Sequence, residues 1–136
     1  MDKTSTDLEL ALRLVKNGDD ESATQVFNKI LKENEKEPVA LEFFAVKEIK
    51  AKNYKNAIHL LKQALRSNEC RASVLFQMGH ALRDSGNISK AEQFYSRYYS
   101  ITNDYKAAIT YADVLIKLSK SNEAIHILNQ IDYPDF

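Results

Sequence analysis

The chain has 136 residues, enough for one domain or one array of small repeats. Its 19 Lys and Arg balance 19 Asp and Glu, so the basic excess of a nucleic-acid binder is missing. Three Gly, two Pro and one Cys among abundant helix formers point to an all-helical protein, and exclude an internal disulfide framework or a cysteine zinc cluster.

The opening stretch MDKTSTDLEL holds no apolar signal core. No later run approaches the ~18 apolar residues that a membrane helix needs, so the expectation is a soluble protein of the reducing cytoplasm. A first helix carries Leu10, Ala11 and Leu14 and breaks at NGDD; a second carries Ala23, Phe27 and Ile30. The same pair recurs as Phe44, Ala45 and Glu48, a break at AKNY, then Ala57, Leu61 and Ala64. It recurs again as Met78, Gly79 and Leu82, a break at DSGNI, then Ala91, Tyr95 and Tyr98. The last copy has Tyr111, Ala112 and Leu115, a break at KLSKS, then Ala124, Leu128 and Ile131. The second-helix alanines lie 34, 34 and 33 residues apart, and the apolar spacing within each half is that of an amphipathic helix. Small residues at both contact positions let paired helices approach to about 8–10 Å. Neighbouring pairs then stack, because one pair alone cannot bury both faces.

Local signals set the breaks. Gly18 and Gly86 are helix stops, Asn53 suits a left-handed turn, and Ser121 offers an N-cap. Pro38 suits a helix start. Asp7 stands where an apolar residue belongs and is expected to cap the first helix. Glu48 also replaces an apolar residue, and Tyr98 stands where a small one is usual. The connection at TNDY is one residue short.

The segment LFQMGHALRDSGNISKAEQFYSRYY resembles a tetratricopeptide repeat (TPR), a family whose unit is 34 residues. Leu75, Met78, Gly79, Leu82, Gly86, Ala91 and Tyr95 carry the resemblance, which extends over nearly the whole chain. It implies a right-handed α-solenoid of about eight helices, in one array over residues 1–136 with repeats near 4–37, 38–71, 72–104 and 105–136. It also implies a concave ligand groove lined by first helices. The groove positions would be Leu8, Leu12, Val15 and Lys16; Glu42, Val46, Ile49 and Lys50; Phe76, His80, Arg83 and Asp84; and Ile109, Asp113 and Lys117. Exposed apolar residues there fit a peptide or helix ligand; otherwise they are buried between layers. TPR co-chaperones hold acidic chaperone tails with Lys, Asn and Arg at positions occupied here by Leu8, Leu12, Val46, Phe76 and His80, so such a carboxylate tail is not an expected partner.

The stretches NAIHLL and EAIHIL place His59 and His126 alike, two repeats apart, at a polar second-helix position. That separation, ~20 Å for stacked layers, is too great for a shared metal, and we read both as surface residues. No catalytic motif, metal set or cofactor site emerges. Cys70, in a connection beside Arg71, is read as incidental. Phe94 and Tyr99 are read as packing on the next repeat rather than as a convex interface. The final helix holds Ile125, Ile127, Leu128 and Ile131, more than one seam needs, which makes it a candidate interface. The expected function is a non-catalytic scaffold that binds a protein or peptide, with neither nucleic acid nor membrane insertion involved. Alternatives are a targeting or substrate-presenting segment of a larger enzyme, such as a sulfotransferase, glycosyltransferase or hydroxylase, and a homodimerisation module.

Overall fold

The structure is a computed structural model, and it describes residues 3–67 and 71–131. Among these, eight helices follow in order: α1 (Lys3–Lys16), α2 (Asp20–Glu33), α3 (Pro38–Lys50), α4 (Tyr54–Leu65), α5 (Ala72–Asp84), α6 (Ile88–Thr102), α7 (Tyr105–Lys117) and α8 (Ser121–Asn129). No strand occurs among the described residues, and none of their helices is long and apolar enough to cross a membrane. Consecutive helices pack most extensively within the pairs α1/α2, α3/α4, α5/α6 and α7/α8. Pair then stacks on pair, as expected of an α-solenoid.

The small residues sit at these seams. Ala11, Ala45, Ala112, Ala23, Ala57, Ala91 and Ala124 are all at most 2% exposed, and Gly79 is buried with them. A Cβ at Gly79 would lie 2.5 Å from Tyr95 Cε1, so only glycine lets the Tyr95 ring cross the α5 backbone. Phe27, Leu61 and Tyr95 fill the same register position in the first three pairs and are fully buried; each burial contributes about 1.5–3 kcal/mol. Three clusters form the core. One covers the first pair and the start of α3, one the middle, and one the fourth pair; Leu31 bridges the first two and Tyr111 the last two.

All four intra-pair turns use one backbone device. The N–H groups of Asp19, Asn53, Asn87 and Lys120 donate to the carbonyls of Leu14, Glu48, Leu82 and Leu115 at 2.8–2.9 Å. This is the Schellman closure of a helix end, and it needs a left-handed residue just before each donor. Gly18 and Gly86 fill that place as expected, with φ of 81° and 97°; Lys52 (64°) and Ser119 (61°) fill the other two. Asn53 and Ser121 therefore do not play their expected parts. Asn53 is an N-cap residue without a capping side-chain bond, and Ser121 is already inside α8, after Lys120. The closure fixes the left-handed site five residues before each second-helix alanine, whatever side chain stands there.

Other local features follow from the sequence. Pro38 occupies the first turn of α3, where Glu37 accepts from Val39 N–H at 3.1 Å. The short TNDY connection closes because Asn103 adopts φ 55° and Asp104 caps α7, accepting from Ala107 N–H at 2.7 Å. Asp7 does not cap α1. That helix is already formed at Lys3, and the Asp7 carboxylate instead lies 3.6 Å from Lys29 Nζ on α2.

Candidate functional site

First helices of neighbouring pairs leave a cleft of about 190 Å³. Leu12 and Val15 of α1 form one wall, Val39, Glu42, Phe43, Val46, Lys47 and Lys50 of α3 the other, with Phe27 between them and Asp20 and Arg71 at the lip. Leu12 and Val15 remain 40% and 38% exposed, more than isolated core-facing residues would. Phe43 stacks on Phe27 with centroids 4.3 Å apart, and Phe44 meets both rings edge-on. Phe27, the inner ring of this base, is fully buried.

Charge at the cleft is uneven. Glu42 is only 6% exposed, and its Oε1 accepts from Arg71 and from Ser73 Oγ, both at 3.0 Å. Expected as a groove residue, it lines the cleft but is held as a tether between α3 and α5. Lys47 Nζ donates to Thr24 Oγ1 at 2.6 Å and lies 5.2 Å above the Phe43 ring. Its ammonium thus contacts a neutral oxygen and a π face. Lys50 and Lys16 are exposed.

The same register positions in the third pair are filled in. Phe76, His80, Tyr95 and Tyr98 form one aromatic knot, with centroid distances of 4.1 Å for Phe76–His80 and 4.7 Å for Phe76–Tyr98. Tyr95 OH and His80 Nδ1 share a hydrogen bond of 2.6 Å. Burial pushes the Tyr95 phenol well above its ordinary range, and burial followed by Arg83 pulls the His80 imidazole down, with Asp84 opposing. Both partners are neutral near pH 7. Tyr98, at a usually small position, is accommodated against Phe76, and burial followed by Asp104 raises its phenol. Beyond the knot, Arg83 pairs with Asp84, and Asp113 with Lys117, each at 3.1 Å. Ile49 packs on the central core, while Ile109 stands 46% exposed on α7. Leu8 packs against the first cluster.

The first-helix residues read from the sequence thus divide. Leu12, Val15, Glu42, Val46 and Lys50 share the cleft; Phe76 and His80 belong to the knot; Ile109, Asp113 and Lys117 lie outside both. Val39, Phe43 and Lys47 line the cleft without having been expected there. Their helical spacing of four, from 39 to 43 to 47, was the available signal.

Other candidates resolve plainly. His59 and His126 are exposed, and each meets the amide four residues on, Gln63 at 3.1 Å and Gln130 at 3.0 Å. Among the described residues no group of three or more His, Cys, Asp or Glu could hold a metal. Cys70 lies outside the described residues. Phe94 packs on the central core, and Tyr99 meets Tyr111 of the next pair at 6.1 Å. Ile127 and Leu128 pack partly against the fourth cluster and Ile131 is half-buried, while Ile125 is 55% exposed. A larger hollow of about 570 Å³ is lined by Asn34, Glu35, Lys36, Glu37, Pro38, Gln63, Arg66 and Ser67.

A tetratricopeptide-repeat family model matches residues 72–105, the segment of α5, α6 and the connection to α7. No curated protein matches the chain in sequence. Solved structures match in fold. One of MamA has a TM-score of 0.75 at 18% identity, over 93% of this chain and 75% of that one. MamA from Desulfovibrio magneticus RS-1, residues 41 to the end, gives 0.74 at 17%, over 94% and 73%. YrrB, described as a TPR protein with an unusual peptide-binding site, gives 0.75 at 19%, over 89% and 63%.

Proposed function

We propose that this chain, a tetratricopeptide-repeat protein, is a non-catalytic scaffold of the reducing cytoplasm that binds a peptide or partner protein along its first-helix face. Its working unit is the array of four repeats, near 4–37, 38–71, 72–104 and 105–136. The observation that carries the reading is the α1/α3 cleft, where exposed Leu12 and Val15 face Val46 over an aromatic base. Its volume of about 190 Å³ is below the ~300–1,000 Å³ of small-molecule sites, and suits an apolar side-chain anchor on a longer ligand. YrrB's peptide-binding site offers a fold-level parallel.

Peptide display against the immobilised chain tests it. Selected peptides should lose at least about tenfold in affinity, ~1.4 kcal/mol, to Leu12→Arg or Val46→Arg. They should keep it with Gln93→Arg on the exposed side of α6. Peptides that bind all three variants equally would sink the proposal. A second reading, pairing with another copy through the fourth repeat, draws on the exposure of Ile109, Ile116 and Ile125. Strictly monomeric light scattering at high micromolar concentration would remove it.

A further inference from the structure

The two halves of the first-helix face differ in how their charges are spent. In the α5–α7 half every charged side chain at the groove register has an opposite partner: Arg83 with Asp84, and Asp113 with Lys117. In the α1–α3 half, two lysines of the cleft wall lack one among the described residues. Lys47 Nζ meets only the neutral Thr24 Oγ1 and the Phe43 ring, and Lys50 is exposed at the rim beside it. Lys16 extends the cationic side on α1, one turn past Leu12. Against them stand two carboxylates in the lining. Glu42 is already paired with Arg71 and hydrogen-bonded by Ser73, which leaves Asp20 at the lip.

An apolar slot with an aromatic base, edged by unneutralised ammonium groups, is complementary to one ligand chemistry. We propose that the cleft is selective for an acidic segment of a partner protein, in which at least one large apolar side chain is flanked by Asp or Glu. The inference rests on the reading that this face binds a protein segment. The apolar anchor enters between Leu12, Val15 and Val46 and lies on Phe43. The flanking carboxylates meet Lys47 and Lys50. Recognition is of side-chain carboxylates, since the positions that would clamp a chain-terminal carboxylate carry Leu8, Leu12, Val46, Phe76 and His80. Burial of the anchor gives affinity, whereas the rim charges set association rate and discrimination. The selectivity is therefore salt-sensitive.

The test uses three labelled peptides with the same Leu and Phe positions, separated by Glu, by Gln or by Lys, in fluorescence anisotropy with the whole chain. The Glu peptide should bind about tenfold tighter than the Lys peptide at about 50 mM salt, and the gap should shrink several-fold at about 300 mM. Lys50→Glu, on an exposed position, should narrow the gap, and Lys47→Glu with Lys50→Glu should close or invert it. Lys62→Glu, on the exposed side of α4, should leave it unchanged, and circular dichroism confirms that each variant is folded. Equal binding of the three peptides, all lost with Leu12→Arg, overturns the acidic preference and leaves the groove reading standing. Binding that survives Leu12→Arg overturns the groove reading itself. Tighter binding of the Lys peptide, or none by any peptide at about 1 mM, a gain of less than ~4 kcal/mol, overturns the inference.

Discussion

The second and third helix pairs share one backbone plan and use it oppositely. At matching positions the second pair has Glu42, Val46 and Lys50, and the third has Phe76, His80 and Asp84. Beneath them lie Leu61 and Ala64 in one pair and Tyr95 and Tyr98 in the other. The tyrosines are long enough to reach under the first helix and engage Phe76 and His80. Leucine and alanine are not, so α3 keeps Val46 half-exposed toward the cleft. Whether this face is open or closed is thus decided from behind, by the bulk on the second helix. Gly79 is the condition for the closed form, because Ala45 stands in its place in the open one.

The sharpest way to break this difference is Gly79→Ala. The added methyl meets the Tyr95 ring at 2.5–2.9 Å, so the ring must leave its site. The expected cost is about 3 kcal/mol, the upper range for overpacking a close-packed core, read as a lower urea midpoint with unchanged slope. The same substitution made in a Tyr95→Leu background should become neutral or stabilise by up to ~1 kcal/mol, since alanine is the better helix former. A large cost in both backgrounds would show that something other than the ring contact demands glycine. Next in size is Glu48→Leu. Glu48 Oε2 is buried without a hydrogen-bond partner among the described residues, at the position of Leu14, Leu82 and Leu115. Removing the desolvated oxygen should stabilise the second pair by about 1–3 kcal/mol. Urea denaturation checks it, and a loss of stability would mean the carboxylate has a structural use.

Much of this arrangement was legible in the sequence, for physical reasons that differ by feature. The alanines at 23, 57, 91 and 124 announce the seams because a close helix approach admits little else. Their 34-residue spacing then orders the eight helices. Side-chain depth was less legible. His80 reads as a groove residue by position, and only the length of Tyr95, fifteen residues later, turns it inward. Glu42 reads as a groove acid until Arg71 and Ser73 arrive from the next pair. Phe43 and Lys47 escape a reading of the first-helix face as one stripe, because the cleft is shared by two helices and recruits the flank of α3. At the turns the reading failed where composition and backbone disagree. Lys52 and Ser119 carry no mark of a left-handed residue, yet the Schellman closure puts them there.

Those turns supply a smaller contrast between open and closed pairs. A non-glycine residue in the left-handed region costs roughly 1–2 kcal/mol, partly offset by the greater unfolded freedom of glycine. Lys52→Gly should therefore stabilise the second pair by about 0.5–1 kcal/mol, whereas Gly86→Lys should cost the third a similar amount. Thermal melts of both variants check the pair of signs. Equal and opposite shifts are expected if the turns are interchangeable, and two losses would mean that the Lys52 side chain matters in its own right.

The smallest expected effect lies in the knot. Burial holds the His80 imidazole below its ordinary 6.5, so between that value and its folded one the unfolded chain binds more protons than the folded chain. Stability then rises with pH across this window and is lost as pH falls through it. Acidifying from pH 7.5 to about 5 should lower the melting temperature through this group. His80→Gln, which retains a partner for Tyr95 OH but cannot titrate, should flatten that part of the profile. Its baseline stability should fall only slightly, because an amide replaces the ring nitrogen in the bond but not the edge contact with Phe76. The carboxylates common to both proteins cancel in the difference between the two profiles. A difference that stays constant from pH 7.5 to 5 would mean that His80 ionises as freely in the knot as in water, and that the closed half of the face is wetter than its packing implies.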